Sequence, residues 1–294
     1  MLEWFGPHGS ALRTIMLKRI LLALDLTPAS LRARRYALDL AARHGAAVLG
    51  LVIIDPEIVA PPELTPMGAD FHKQHKDSVL LQKAQADAEA VAGQFSDDCR
   101  RMQVSGEAKI AVGPALQELV AASDLYDLIA AGVDTAFDAA APETVGRVIA
   151  GLLRDNSRPV LAMPRHEESA FGQRTLVAYG GSVAAMRAVQ IFCCSRINTK
   201  QETIVATVHS NAATAARLSE RGAQYVREHG YNAQARAIVS DDDVTALLLG
   251  AAKDVQANII VAGAYGHQGW RQWLMGTTTK RLLEQSSVPL FIHH

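Results

Sequence analysis

The sequence predicts an α/β fold built of two repeated, doubly wound domains, each a five-stranded parallel sheet in the order 3-2-1-4-5 with helices on both faces. Three observations lead there. Short apolar, β-branched runs alternate with amphipathic segments along the whole chain, and near-continuous apolar strands belong to parallel sheets covered on both faces. The alternation begins again after a polar, charged stretch around residues 164–174. The two halves also match position by position: Gly146, Leu152, Leu153 and Pro159 recur as Gly276, Leu282, Leu283 and Pro289. At a second offset, the run Ile20-Leu21-Leu22-Ala23-Leu24-Asp25 recurs as Thr175-Leu176-Val177-Ala178-Tyr179-Gly180.

Composition narrows the class. A chain of 294 residues suffices for one large domain or two of average size, and 49% hydrophobic with 20% charged residues is ordinary for a full core. A net charge of −1 gives no reason to expect nucleic acid or an anionic membrane as partner. No apolar run is long enough to span a bilayer. Residues 1–15 include Glu3 and Pro7, lack the pattern of a secretory signal, and read as an N-terminal extension. Cys99 and the adjacent Cys193-Cys194 do not suit a structural bridge, so a reducing cytoplasm is the expected setting.

Element by element, residues 18–24 form a buried-strand pattern ending at Asp25. Thr27-Pro28 then starts a helix as cap and first helical position, and Gly45 stops it. Residues 48–54 read as a strand closed by Asp55-Pro56, residues 57–71 as a proline-rich loop, and residues 72–100 as a long charged helix. A strand at 109–112, a helix to about 123, a strand at 128–131, a helix at 144–154 and a strand at 159–163 complete the first half. The second half repeats this with strands at 175–179, 203–208, 233–239, 258–262 and 289–292. Its helices fall at 182–194, 212–229, 244–252 and 278–285. The boundaries expected are an extension 1–15, a first domain 16–165, a linker 166–174 and a second domain 175–294.

One stretch concentrates the chemistry. The run Ile259-Ile260-Val261-Ala262 ends at Gly263; Gly266 follows after two residues, then Gly276 after nine more, then Thr277-Thr278-Thr279 opening a helix. Glycines let backbone N–H groups approach an anion closely, and a helix N-terminus adds unpaired donors and its positive dipole end. Lys280 and Arg281 in that first turn, where the dipole disfavours cations, suit a bound anion. A plain glycine-rich strand-to-helix connection would explain one glycine, but not three at these offsets followed by a hydroxyl residue.

This spacing resembles the nucleotide signature of the universal stress protein family, and the resemblance extends over both halves. It implies a tandem member in which a first-strand acid, the second-strand backbone and the glycine loop hold an adenine nucleotide. Carried onto the second half, the binding positions are Ala178, Gly180, Val208, Ala262, Gly263, Gly266, Gly276, Thr277 and Thr278. The ligand implied is ATP, or AMP or ADP, with or without Mg2+. It also implies that the two halves pair through residues 160–163 and 290–292, leaving dimerisation of whole chains open. Each half departs from the pattern. The first keeps Asp25 but reads Gly132-Val133-Asp134-Thr135, with Thr135 for the second glycine and further acids at Asp134, Asp138 and Glu143, so it is expected to hold no nucleotide. The second keeps the loop but has Gly180 in place of the acid.

Other constellations are weaker. His72 and His75, with Asp70 and Asp77, lie on a solvated helix without the remaining metal ligands. Asp241-Asp242-Asp243 reads as a helix cap, Gly180-Gly181-Ser182 as a tight turn with a serine cap, and His293-His294 as a frayed end. Trp270 and Trp273 flank Arg271 in the loop, where they either close over a ligand or pack the loop down. No catalytic triad is visible. The reading is an adenine-nucleotide-binding stress-response regulator with an unidentified protein partner. Its rivals are a nucleotide-free scaffold or apolar-ligand binder, and a very slow ATPase for which His267 is the only nearby base.

Overall fold

The computed structural model describes residues 17–62, 70–135, 147–166, 174–198, 202–264 and 276–294. The expected extension 1–15, nearly all of the linker, Asp138, Glu143 and the loop residues 265–275, with Gly266, His267, Trp270 and Trp273, lie outside these residues. In chain order the first half contains β1 (Arg19–Leu24), α1 (Pro28–His44), β2 (Ala47–Ile54), α2 (Pro56–Val59) and α3 (Asp70–Met102). It continues with β3 (Gly106–Val112), α4 (Ala115–Ser123), β4 (Leu128–Gly132), α5 (Arg147–Asp155) and β5 (Val160–Met163). The second half contains β6 (Arg174–Ala178), α6 (Val183–Ser195), β7 (Glu202–His209), α7 (Ala212–Glu228) and β8 (Asn232–Val239). It ends with α8 (Val244–Asp254), β9 (Ile259–Gly263), α9 (Thr277–Gln285) and β10 (Leu290–His293).

The helix signals act as read. Thr27 accepts from Ser30 N–H at the start of α1, Pro28 follows it, and Gly45 closes the helix at φ 63°. Ser182 and Asp243 cap α6 and α8 in the same way. Strands β1 and β4 are buried along nearly their whole length because helices cover both faces. Alternate strand residues feed two apolar layers. Leu22, Leu24, Val177 and Val205 lie beneath α1, α3, α6 and α7. Leu21, Ala23, Leu176 and Ala206 lie beneath α4, α5, α8 and α9.

The strands form one ten-stranded sheet in the order β3-β2-β1-β4-β5-β10-β9-β6-β7-β8. Each half has the expected order 3-2-1-4-5, all parallel, and the halves meet where β5 and β10 run antiparallel. Leu161 faces Phe291 at the middle of that pairing, flanked by Ala162↔Leu290 and Val160↔Ile292. Leu161 and Phe291 hold the same register place in their own halves, beside Ala130 and Val261, so a pseudo-twofold axis passes between them.

Three local expectations change. The proline-rich segment after β2 begins with the short helix α2, because Asp55 accepts from Glu57 N–H (3.1 Å) and Pro56 sits at its first position. The same carboxylate accepts from Ala115 N–H (3.1 Å) at the start of α4. Strand β3 starts at Gly106, not 109, since it lies at the sheet edge, where exposed polar residues carry no apolar pattern. His293 is not frayed: it is buried in β10, pairs with Gly263, and donates from Nε2 to Ser157 O (3.0 Å).

The halves differ most between their second and third strands. Helix α3 has 33 residues and its counterpart α7 has 17, about 50 Å against 25 Å at 1.5 Å per residue. Ala88, Val91, Phe95 and Cys99 form the buried stripe of α3. Its N-terminal half extends beyond the carboxyl ends of the strands.

Candidate functional site

Strands β6 and β9 are direct neighbours (Thr175↔Ile259, Leu176↔Ile260, Val177↔Val261), yet the sheet grows away from them in opposite directions. Loops leaving such a pair diverge and open a crevice at the carboxyl ends of the strands. Ala178 ends β6 and Gly263 ends β9. Ala178, Val208 and Ala262 all belong to the apolar layer beneath α8 and α9, with Ala178 and Val208 only partly covered. These three small or branched side chains present an apolar floor on one side of the crevice.

The turn after β6 is held from below. Tyr179 N–H donates to Ala206 O (2.9 Å), and the buried Thr207 hydroxyl donates to Tyr179 O (2.6 Å). Gly181 takes the left-handed φ of 74° that the turn requires, and Ser182 Oγ then accepts from Ala185 N–H (3.2 Å). Gly180 differs: it is exposed, its φ is not positive, and a Cβ there would meet nothing within 4 Å. Gly263 has a packing reason to be glycine, because a Cβ would stand 2.6 Å from the Ala184 carbonyl carbon and Ala185 N in the first turn of α6. Gly132 faces Ala29 and Ser30 of α1 in the same manner.

At the other wall, Gly276 N–H donates to Ala264 O (3.2 Å), and the Thr279 hydroxyl donates to Gly263 O (2.9 Å), tying the start of α9 to the end of β9. Gly276 is the N-cap of α9 and offers no side chain to the first-turn amides. Side chains cap α1, α2, α6, α7 and α8, and Ala115 N–H at the start of α4 meets Asp55. Among the described residues, α9 is thus the helix whose defined N-terminus has no side-chain acceptor. Thr277 is exposed there and Thr278 half-buried.

The cations of this turn have protein partners, which corrects the sequence argument for an anion from Lys280 and Arg281. Arg281 pairs with Asp243 (2.5 Å), the cap of α8, and Lys280 reaches Glu284 one turn on (4.0 Å). A tertiary ion pair therefore accounts for Arg281, and the case for an anion rests on the uncapped amides.

The matching place in the first half is differently furnished. Thr135 Oγ1 accepts from Gly132 N–H (3.0 Å) and Thr135 N–H donates to Gly132 O (3.1 Å), so the loop closes on itself. Asp25 Oδ1 accepts from Thr27 N–H (2.8 Å) and the Thr27 hydroxyl (2.6 Å). Among the described residues, neither Asp25 Oδ2 nor Asp134 Oδ1 has a hydrogen-bond partner, although both are buried. Burial pushes the Asp25 carboxyl above its ordinary range and the neighbouring Asp134 adds to this, against the opposing Thr27 hydrogen bonds.

The sequence pattern of the universal stress protein family matches residues 16–133 and again 172–294. The chain belongs to the universal stress protein family. A universal stress protein from Archaeoglobus fulgidus DSM 4304 has the same tandem fold, with 20% identity over 95% of this chain and 97% of that one and a TM-score of 0.68. A putative universal stress protein from Pseudomonas aeruginosa UCBPP-PA14 covers 94% of this chain and 93% of its own at 15% identity, with a TM-score of 0.56. A family protein from Arabidopsis thaliana solved with AMP bound covers 51% of this chain and 92% of its own, at 15% identity and a TM-score of 0.36. No curated protein matches the sequence.

For this universal stress protein, the structure brings Ala178, Gly180, Val208, Ala262, Gly263, Gly276, Thr277 and Thr278 to one end of the second half-sheet. The sequence reading missed the roles of three residues that shape the site: Thr207 beneath the turn, Thr279 across the wall, and Thr135, read only as a lost glycine, closing the first-half loop. Thr279 stood beside the glycine-threonine step and was legible as a further hydroxyl. Thr207 and Thr135 act through folded-back hydrogen bonds, which no linear pattern carries. Among the described residues, His72 and His75 join no group of three metal-ligating side chains, and Asp77 is paired with Lys73 (3.0 Å). No described helix is long and apolar enough to cross a membrane.

Proposed function

We propose that this universal stress protein binds an adenine nucleotide, ATP or AMP, in the crevice between β6 and β9, as a sensor that reports to a protein partner. The observation that carries this reading is the N-terminus of α9, where the Gly276 cap offers no side-chain acceptor to the first-turn amides and Thr277 is exposed. Such a terminus favours phosphate through its donors and its dipole together. The Gly263, Gly266, Gly276 spacing completes the cradle. Ala178, Val208 and Ala262 supply apolar surface for the base, and Gly180 leaves the nucleoside without a charged acceptor. Binding is accordingly weak and led by the phosphates, so adenosine binds much worse than ATP and raised salt weakens ATP.

Catalysis is not its task in this reading. The proposed binding set supplies amides and hydroxyls but no carboxylate to orient water, so any Mg2+ arrives held by the nucleotide phosphates. Turnover is expected well below the common enzymic range of about 1–1000 per second. We assign residues 16–165 and 175–294 as the two domains and place the protein in the cytoplasm. Calorimetry with ATP tests the site on the whole chain. Gly276 has φ −55°, which any residue adopts, so the backbone admits Gly276→Val, whose side chain would fill the proposed phosphate space; circular dichroism checks that the variant folds. Binding should vanish in that variant; ATP bound as tightly as by the parent removes the phosphate-loop assignment.

A further inference from the structure

We propose that His293 is a proton-sensitive latch on the glycine loop of the second half: a neutral ring holds both described ends of the loop against β10, and a protonated ring lets them go and weakens nucleotide binding. The last clause rests on the nucleotide reading above; the latch itself does not. His293 is the last residue of β10 and is buried at the seam between the halves. Its ring reaches into the first half, where Nε2 donates to Ser157 O (3.0 Å) just before β5. Its backbone serves the second half. It pairs with Gly263 at the end of β9, and His293 O accepts from Ala264 N–H (2.8 Å). Ala264 O in turn accepts from the N–H of Gly276 (3.2 Å), the cap of α9. One hydrogen-bonded line thus runs from Ser157 through His293 and Ala264 to the helix start assigned to the phosphates.

The ring is placed to stay neutral. With Nε2 donating, Nδ1 is left as an acceptor, and it is buried with no hydrogen-bond partner among the described residues. A proton would make Nδ1 a second donor with nothing to receive it, and would bury a cation. The charged groups around the ring do not help. Arg187 of α6 and His294, whose ring stacks on His293 at 5.6 Å, both oppose a proton. The α5–β5 connection offers only the Ser157 carbonyl, and β9 meets it at Gly263, which has no side chain. Asp124, Arg154 and Asp155 line a polar cleft beside His294. Burial holds the imidazole below its ordinary 6.5, and His294 and Arg187 add to this against the bond to Ser157 O. The closed latch is therefore fully favoured above 6.5 and loses ground as pH falls toward the lowered value, by up to about tenfold per pH unit. A protonated ring finds its second acceptor by turning out to water, which takes the end of β10 off Gly263 and Ala264. Packing alone does not call for histidine here. Met163 holds the same place at the end of β5, pairs with Gly132, and accepts from Val133 N–H (2.8 Å) through its backbone. The titratable residue stands in the half that keeps the glycine loop.

The test compares the whole parent chain with His293→Met, which installs the first half's residue, and with His293→Gln, which keeps an uncharged donor for Ser157 O. Circular dichroism checks folding across the pH range, and one folded variant suffices. Without nucleotide, the ring of His293 and the amides of Ala264 and Gly276 are followed by NMR from roughly pH 8 to roughly pH 5, the span in which a histidine titrates. The two amides should shift with the ring in the parent and stay level in the variants. Calorimetry with ATP then compares roughly pH 7.5 with roughly pH 5.5. The parent should lose affinity at least about fivefold more than the folded variants, the titration of the ATP phosphates being common to all. A ring that does not titrate, amides that ignore it, or amides that shift equally in the variants overturn the latch. An equal loss of ATP affinity in parent and variants overturns its hold on the site. A parent that binds no ATP even at the higher pH removes the nucleotide reading instead, and the amide signals still decide the latch.

Discussion

Replacing Gly180 by aspartate asks whether the second half lacks only an acid. The structure admits the change without strain: φ is not positive and a Cβ meets nothing within 4 Å. The first half shows how the new carboxylate would be held. Asp25 takes the Thr27 N–H and hydroxyl on one oxygen, and Ser182 stands where Thr27 does, with the same two groups. The second oxygen of an aspartate at 180 is then left for the nucleoside. A hydrogen bond to a charged group contributes roughly 1.5–3 kcal/mol net, which is about ten- to a hundredfold in affinity. Loss of glycine freedom in the unfolded chain adds about 0.4–1 kcal/mol of stability. Calorimetry should therefore show Gly180→Asp binding ATP and adenosine about ten- to a hundredfold more tightly than the parent, with an unchanged or slightly higher Tm. Gly181→Asp is the counter-experiment. At φ 74°, with Leu218 Cδ2 3.0 Å from the new Cβ, it should lower stability by about 1 kcal/mol without improving affinity. A folded Gly180→Asp protein whose affinity for both ligands equals the parent's refutes the geometry assigned to this crevice.

ATP should bind at one site per chain by calorimetry, since Thr135 closes the first-half loop on its own amide; two equivalent sites would contradict this. Phe291→Ala should destabilise the chain by about 3–5 kcal/mol in denaturant unfolding, because the ring is fully buried at the pseudo-twofold axis and packs edge-on to Phe192 at 5.7 Å. Asp25→Asn should raise Tm near neutral pH and change it little near the ordinary aspartate value of 3.8. The folded-state pKa of Asp25 is raised, so its carboxyl favours folding below that value and opposes it progressively as pH rises past it. His293 behaves oppositely: burial lowers its pKa, so its contribution is present above the ordinary 6.5 and is lost as pH falls below it, a loss that His293→Phe should remove from a Tm-versus-pH series.

Much of the fold was legible because its signals are local. Thr27-Pro28, Gly45, Ser182 and Asp243 announce helix ends through chemistry confined to a few residues, and β-branched runs announce buried strands. The meeting of β5 with β10 was an implication of family resemblance, and pairing between strands so far apart in the chain has no local signature.

 The Leu161↔Phe291 contact is set by the tertiary fold alone. What stayed hidden is of the same kind. The partner of Arg281, Asp243, comes from another helix, and that of His293, Ser157, lies far away in sequence, so neither pairing has a local signal. The short α2 was masked by prolines that suggested a loop, although Asp55-Pro56 is itself a start signal. At the site, the glycine spacing could be read, but not which glycine serves packing and which leaves room.

That distinction explains how the two halves have diverged. Gly132 and Gly263 occupy the same place, and both are pinned by a helix first turn that a Cβ would strike at less than 3 Å. Either half must keep this glycine to seat α1 or α6 on its sheet, whatever it binds. Asp25 and Gly180 also share a place, but nothing packs against position 180, so the fold there tolerates either residue. Thr135 and Gly266 differ as well, and Thr135 serves its own loop by satisfying Gly132 N–H. The halves thus agree at the position the architecture constrains and differ at 25 and 180, where at least the second half leaves the choice open. On the proposed nucleotide reading, each half lacks a different part of one site: the first the phosphate loop, the second the nucleoside acid. A chain binding the same nucleotide twice would have reason to keep both parts in both halves. One that binds only in its second half, led by the phosphates, would not.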